Sequence, residues 1–131
     1  MPAPGETDLE AMLASLAVTR RDGVFTFVET TGPTAEMMRR AHAVVVEEES
    51  TTLVLTLDDA EALDLEGPVE MAWLSLTVAS SLEAVGLTAA FSAMLGGAGI
   101  PCNVLAGFHH DHLLVPVDRA DEAIRVLTER T

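Results

Sequence analysis

The fold is decided by residues 71–127, which read MAWLSLTVASSLEAVGLTAAFSAMLGGAGIPCNVLAGFHHDHLLVPVDRADEAIRVL. Between residues 72 and 78, apolar side chains alternate with Trp73 and small hydroxyl residues, which is the period of a strand with one buried face. Between residues 87 and 98, apolar residues recur every three or four positions, which predicts a helix with one buried stripe. The glycines between residues 96 and 99 supply the signal that ends this helix.

A hairpin and a last helix complete this half of the chain. The apolar runs at 102–106 and 113–117 predict two strands, with the tip between them at 107–111. Asp118 is the predicted N-cap of a helix whose apolar side chains, as far as Leu127, face inward. The order is strand, helix, strand, strand, helix. Units of this order close into an antiparallel sheet with helices on one face, an α+β sandwich of the ferredoxin-like (βαββαβ) kind.

The front half repeats this order with weaker signals. Its predicted elements are a helix at 8–16, an Asp22-Gly23 turn, a strand at 24–28, a helix at 33–40, strands at 43–46 and 52–57 around a turn at 47–50, and a helix capped by Asp58 that ends near 65. Gly67-Pro68 then breaks the chain. We therefore predict two ferredoxin-like units, residues 1–67 and residues 68–131.

The composition excludes several classes of function. The 131 residues contain 7 Lys and Arg against 21 Asp and Glu, a formal net charge of −14 that opposes nonspecific binding to nucleic acid or to anionic lipid. We expect a cytoplasmic protein, because no apolar run is long enough to cross a bilayer and the first residues lack the pattern of a secretory signal. The single cysteine, Cys102, excludes an internal disulfide and a metal site made of cysteines alone.

Three stretches of the back half resemble the ACT domain family. They are SSLEAVGLTAA at 80–90, AGIPCNV at 98–104 and HDHLLVP at 110–116. The sequence looks most like stand-alone bacterial proteins with tandem ACT domains, which are related to the regulatory domains of aspartate kinases. The resemblance covers residues 69–131, and the front half is similar in layout through FTFV at 25–28 and EEESTTL at 47–53. It implies two ACT-like units, a small-molecule ligand such as an amino acid, and pairing into a homodimer.

The resemblance also implies a ligand site between the loop and helix start of the back half and the strand that faces them. The residues of that site are Ser80, Ser81, Leu82, Val85, Gly86, Leu87, Thr88, Cys102, Asn103, Val104 and Asp111. A helix start leaves about four backbone N–H groups without partners and carries partial positive charge, so the backbone at Gly86 and Leu87 suits a carboxylate. Asn103 or Asp111 is then a candidate partner of the amino group. The residues alone leave two alternatives open, a simple helix cap at the two serines and an edge-strand role for Asn103.

The run His109–His112 is the other group with chemical potential. Three imidazoles and a carboxylate are ligand types for zinc or iron, but structural sites usually draw their ligands from separated segments. A catalytic pair of Cys102 with His110 or His112 is a second alternative, although Cys102 resembles a small core residue. No nucleophile-elbow or phosphate-loop motif is present. We therefore expect Asp111 and a histidine to stabilise the hairpin, and we predict no metal and no cofactor.

The sequence thus predicts a non-catalytic regulatory protein that binds a small molecule, with an amino acid as the expected ligand. Two alternatives from other classes remain at this stage. The first is a structural protein that associates with itself and has lost its ligand. The second is a metal-binding protein or metal-dependent enzyme that uses His109, His110 and His112.

Overall fold

The structure, a computed structural model, describes residues 14–77 and 87–129. Contacts between Cα atoms divide the chain into two compact units. The front unit is Asp22–Ala72, and the described part of the back unit is 14–21 together with 73–129. The predicted boundary between residues 67 and 68 stays a prediction. The predicted helix at 8–16 lies almost entirely outside the described residues.

Six strands and four helices account for the regular structure of the described residues. The strands are β1 (Ala17–Thr30), β2 (Ala43–Val46), β3 (Thr51–Thr56), β4 (Met71–Thr77), β5 (Asn103–Ala106) and β6 (Asp111–Pro116). The helices are α1 (Ala35–Arg40), α2 (Leu57–Ala62), α3 (Leu87–Gly97) and α4 (Ala120–Thr128), with a short 3-10 turn at Val117–Arg119. Both predicted hairpins, β2–β3 and β5–β6, are confirmed.

The two units share one strand order. In the front unit the order is β2-β3-β1-β4, and in the back unit it is β5-β6-β4-β1. Both orders read second, third, first, fourth if the front unit is numbered from β1 and the back unit from β4, with β1 counted last in the back unit. The β1–β3, β2–β3 and β5–β6 ladders are antiparallel. The ferredoxin-like α+β prediction is therefore confirmed. The sequence indicated no fourth strand for the back half, because that strand is the beginning of β1, Ala17–Arg21.

The predicted Asp22-Gly23 turn is wrong, since both residues lie inside β1. Gly23 has a φ of +108°, a conformation that side chains with a Cβ rarely adopt. A Cβ built on Gly23 would lie 3.6 Å from the Thr56 Cγ2 atom, which is an ordinary contact. The backbone conformation, rather than lack of space, therefore favours glycine here. The Asp-Gly signal indicated an unusual φ but not a reversal of the chain.

Two predicted N-caps are also wrong. Helix α2 begins two residues earlier than expected, because the Asp59 N–H donates to the Thr56 Oγ1 atom at 3.1 Å, so that Thr56 and not Asp58 is the cap. Asp118 lies in the 3-10 turn, and α4 follows Arg119 without a side-chain cap. Each error shifts a helix start by about two residues and leaves the element in place.

Each unit has its own apolar core. In the front unit Val28, Leu53, Leu55 and Ala60 are buried between β1, β3 and α2. In the back unit the fully buried side chains come from β4, β6, α3 and α4, and they include Leu74, Phe91, Leu95, Leu113, Val115, Ala123 and Leu127. Within the described residues, no helix is long and apolar enough to cross a membrane.

Candidate functional site

Part of the expected ligand site lies outside the described residues. That part is Ser80, Ser81, Leu82, Val85 and Gly86. Leu87 is the first residue of the eleven-residue helix α3, as the sequence predicts, and Thr88 is exposed on its first turn. The residues before Leu87 lie outside the described part of the chain, so the expected anion site at this helix start stays a prediction.

The second part of the expected site lies on the β5–β6 hairpin. Strand β5 is last in the strand order, and Asn103 and Val104 are exposed on it. In the register of the hairpin, Asn103 is opposite Leu114, whereas Asp111 is opposite Ala106. Three positions along a strand correspond to about 10 Å, so Asn103 and Asp111 lie at opposite ends of the hairpin. A single amino group can therefore contact only one of the two.

Cys102 lies just before β5 and is half-buried. Burial raises the pKa of its thiol, and a hydrogen bond with Ser92 opposes that rise. A raised pKa keeps the sulfur protonated at neutral pH, whereas nucleophilic catalysis needs the thiolate. The environment of Cys102 therefore favours the structural role over a catalytic pair with a histidine.

A polar cavity of about 280 Å³ lies on the back unit. We call it the basic pocket, and its lining consists of Thr19, Arg20 and Arg21 of β1, Ser75 and Thr77 of β4, His110 next to the start of β6, and His112 of β6. The β1-β4-β6 part of the strand order brings these three segments side by side. Arg20 and Arg21 are consecutive residues of β1, so their side chains point to opposite faces of the sheet, and Arg21 is the one on the face of Trp73. One guanidinium group, two imidazoles and three hydroxyls thus line one small cavity.

Hydrogen bonds fix the two histidines of the basic pocket. The Trp73 Nε1–H donates to His112 Nδ1 at 3.1 Å and to the Ser75 Oγ at 3.2 Å, and the Ser75 Oγ lies 2.8 Å from His112 Nδ1. An indole N–H can only donate, so His112 Nδ1 is an acceptor and the neutral ring carries its proton on Nε2. His110 Nδ1 lies 3.0 Å from the Thr77 Oγ1.

Positive charge dominates the basic pocket. The Arg21 guanidinium lies 4.1 Å from the centre of the Trp73 ring, in a cation–π contact. The pKa of His112 is lowered by burial and by the nearby charges of Arg21 and His110, with Asp111 acting in the opposite sense. The Arg20 side chain points to the opposite face of β1, where its Nη1 atom lies 3.7 Å from the almost fully exposed Asp121 carboxylate.

The run His109–His112 does not form a metal site in the described part of the chain. The rings of His110 and His112 are 6.2 Å apart, and each uses its Nδ1 atom within the hydrogen bonds of the pocket. His109 instead packs edge-on against Phe108, with the ring centres 4.9 Å apart. Among the described residues no three His, Cys, Asp or Glu side chains are grouped so that they could hold a metal ion.

Sequence reasoning missed the basic pocket, although a signal for it was present. Trp73, Ser75 and Thr77 are spaced by two, as are His110 and His112, so each set lies on one face of its strand. The signal could not show that the two strands are neighbours, or that Arg20 and Arg21 from the beginning of the chain lie beside them. That information resides in the strand order.

A larger cavity, of about 620 Å³, lies within the front unit. It is lined by Phe27, Val28, Glu29, Thr52, Glu66, Gly67 and Pro68. Its two charged residues are both acidic, so the described lining contains no cation that could bind a carboxylate or a phosphate.

Two ferredoxin-like units in one chain define a class of tandem α+β modules. A family model described as ACT domain matches residues 4–71, and a second ACT domain model matches residues 69–129. The chain belongs to the ACT domain family as a tandem ACT protein. Family membership and the structural relatives together support a regulatory, ligand-binding role in general.

Solved structures agree with this assignment. A protein of unknown function from Vibrio cholerae, described as a possible transport protein, is 36% identical over 95% of this chain and 97% of its own, with a TM-score of 0.87. A protein from Agrobacterium tumefaciens is 15% identical over 87% of each chain, with a TM-score of 0.70. The regulatory subunit of aspartate kinase from Thermus thermophilus is 9% identical over 88% and 95% of the two chains, with a TM-score of 0.60, and shares the fold. Among curated proteins, none matches this chain.

Proposed function

We propose that this protein is a non-catalytic sensor that binds an amino acid and passes the binding event to a partner. The tandem pair of ACT units carries the proposal, because the same pair forms the regulatory subunit of an aspartate kinase, an enzyme that acts on an amino acid. A ligand that binds one conformation or assembly better than another shifts the population towards it.

The amino acid binds at the start of α3 in this proposal. Its carboxylate accepts hydrogen bonds from the backbone N–H groups around Gly86 and Leu87, where the helix dipole is positive. Its amino group contacts either Asn103 or Asp111, and the two are alternatives because the hairpin separates them. Ser80, Ser81, Leu82, Val85, Thr88, Cys102 and Val104 complete the proposed lining.

We further propose that the chain acts as a cytoplasmic homodimer. Strand β2 is first in the order of the described strands, so one of its edges has no neighbouring strand among residues 14–77 and 87–129. Val44, Val45 and Val46 on this strand are 37%, 43% and 76% exposed. An apolar edge strand is a template for pairing with another strand. Equilibrium sedimentation tests this, and Val45→Lys is expected to weaken the dimer.

Calorimetric titration with each of the twenty amino acids tests the ligand proposal. One amino acid, or a few related ones, is expected to bind and to raise the melting temperature by mass action. Asn103→Ala is expected to weaken binding about tenfold if Asn103 holds the amino group, through the loss of a hydrogen bond to a charged group. Asp111→Asn tests the other partner in the same way.

Glu48→Ala is the matched control, because Glu48 is exposed in the turn of the front hairpin, far along the chain from the proposed site. It is expected to leave the affinity unchanged. No binding heat and no thermal shift with any of the twenty, in protein that unfolds cooperatively, would refute an amino acid as ligand.

A further inference from the structure

We propose that the basic pocket binds the phosphate group of a small molecule, at a site separate from the amino-acid site at the start of α3. The first observation is the contrast in charge. The chain has 7 Lys and Arg against 21 Asp and Glu, yet the Arg21 cation and two of the four histidines line one cavity of about 280 Å³. On so acidic a protein, a local group of cations concentrates anions that the remaining surface repels.

The second observation is the number and direction of the donors. The Arg21 guanidinium from β1, imidazoles from β6 and its start, and hydroxyls from β1 and β4 line the cavity from three neighbouring segments. A carboxylate presents two oxygens in one plane, which one arginine can satisfy. A phosphate group presents three oxygens in three directions and up to two negative charges, which matches donors that converge from several sides.

The third observation is that these donors are already held in place. Arg21 is stacked on the Trp73 ring, His112 is fixed by Trp73 and Ser75, and His110 is held by Thr77. Binding therefore costs little additional side-chain entropy. The cavity lies at the small end of the range for ligand sites, so it suits a phosphate on a small metabolite or inorganic phosphate.

Phosphate binding is coupled to the protonation of His112. Arg21 and His110 face His112 and disfavour its charged form, whereas Asp111 favours it. Trp73 and Ser75, which pack against it from β4, carry no charge. A bound anion favours the charged form of His112 and therefore raises its pKa. Reciprocally, the affinity of the pocket for the anion rises as the pH falls.

Trp73 supplies the assay, because the chain has one tryptophan and no tyrosine. We would titrate the full chain with inorganic phosphate, with glycerol 3-phosphate and with sulfate, whose charge is constant across pH 5.5–7.5, at constant ionic strength. A saturable change in the fluorescence of Trp73 is expected with sulfate and at least one of the phosphates, and sulfate affinity is expected to rise towards pH 5.5. The relative affinities of the two phosphates distinguish a free phosphate from a phosphate ester. Chloride and acetate are expected to give no saturation.

Variants decide whether the pocket is the site. Arg21→Gln and His110→Ala are each expected to weaken binding about tenfold or more, because each removes a donor to an anion. Asp121→Asn is expected to leave binding unchanged, since Asp121 pairs with Arg20 on the opposite face of β1. Arg125→Gln is the matched control, because Arg125 is exposed on α4 of the same unit and does not line the pocket.

NMR spectra of the histidine rings provide a readout that does not depend on Trp73. Saturable shifts of His110 and His112, with His42 of the front unit unchanged, are expected. The proposal is wrong if neither phosphate nor sulfate saturates, if acetate binds as tightly as they do, or if Arg21→Gln and His110→Ala both bind as the wild type does. None of these results bears on the amino-acid site, whose own test is the calorimetric titration.

Discussion

Alanine substitution of three neighbouring glycines at the end of α3 is expected to change stability in opposite directions. Gly96 and Gly97 are the last residues of the helix, and a Cβ built on either one meets no described atom within 4 Å. Gly99 follows with a φ of +71°. The Ile100 N–H donates to the Leu95 carbonyl at 2.9 Å and the Gly99 N–H to the Gly96 carbonyl at 3.0 Å, which is a Schellman motif.

The magnitudes follow from these conformations. Alanine in the left-handed region costs about 1–2 kcal/mol, and the smaller entropy of the unfolded chain offsets about 0.4–1 kcal/mol of that cost. Gly99→Ala is therefore expected to lower the free energy of unfolding by about 1 kcal/mol. Gly96→Ala and Gly97→Ala replace glycine in a helix. In a helix interior the helix propensity of alanine is more favourable than that of glycine by up to about 1 kcal/mol, and in the last turn we expect roughly half of that stabilisation. Each is expected to raise the free energy of unfolding by about 0.5 kcal/mol.

Urea unfolding at equilibrium measures all three variants under the same conditions, with the midpoint and slope fitted separately. Because the m-value reports the surface exposed on unfolding, equal slopes show that only stability has changed. If Gly99→Ala is as stable as the wild type, or if the three variants shift in the same direction, the reasoning from backbone conformation is wrong. The turn also leads the chain into β5, so Gly99→Ala tests how firmly Asn103 is positioned.

Three other substitutions test the structure. Thr26 is fully buried and its hydroxyl has no hydrogen-bond partner among the described residues, so Thr26→Val is expected to raise the free energy of unfolding by about 1–2 kcal/mol in urea. Arg119 donates to the Ala98 and Gly99 carbonyls at 3.1 and 3.3 Å, so Arg119→Ala is expected to lower the urea midpoint, and an unchanged midpoint would contradict this contact. The pKa of folded His112 is lowered from 6.5, so its contribution to stability is complete above that pH and is lost as the pH falls through the lowered pKa. The wild type is expected to lose more stability than His112→Asn in urea titrations between pH 7.5 and pH 5.

The back half shows how much of the fold could be predicted from the sequence. The alternation around Trp73, the helix from Leu87 and the hairpin at 102–117 are all present in the structure within a few residues. These predictions succeed because a buried face imposes a period of two on a strand and of 3.6 on a helix. The exact caps failed, since a cap depends on which side chain reaches a backbone N–H, and Thr56 competed with Asp58 for that place.

The candidate sites show the same difference between features that follow from local patterns and features that depend on contacts in the folded chain. Asn103 was predicted from the family resemblance and is exposed on β5, whereas its part in a ligand site stays a prediction. The separation of Asn103 from Asp111 depends on the hairpin register. Periodicity does not determine register, because several offsets of two residues keep the same faces buried.

By itself the sequence determined most of the described strands and helices, the ferredoxin-like class and the acidic composition, because periodicity and composition are properties of the chain. Only the tertiary structure decided that β1 serves both units and that Arg20 and Arg21 line a cavity with His110 and His112. Residues about ninety positions apart come together there because β4 lies between β1 and β6 in the strand order. Strand order depends on how long-range contacts are satisfied together, and no local pattern in the sequence encodes it.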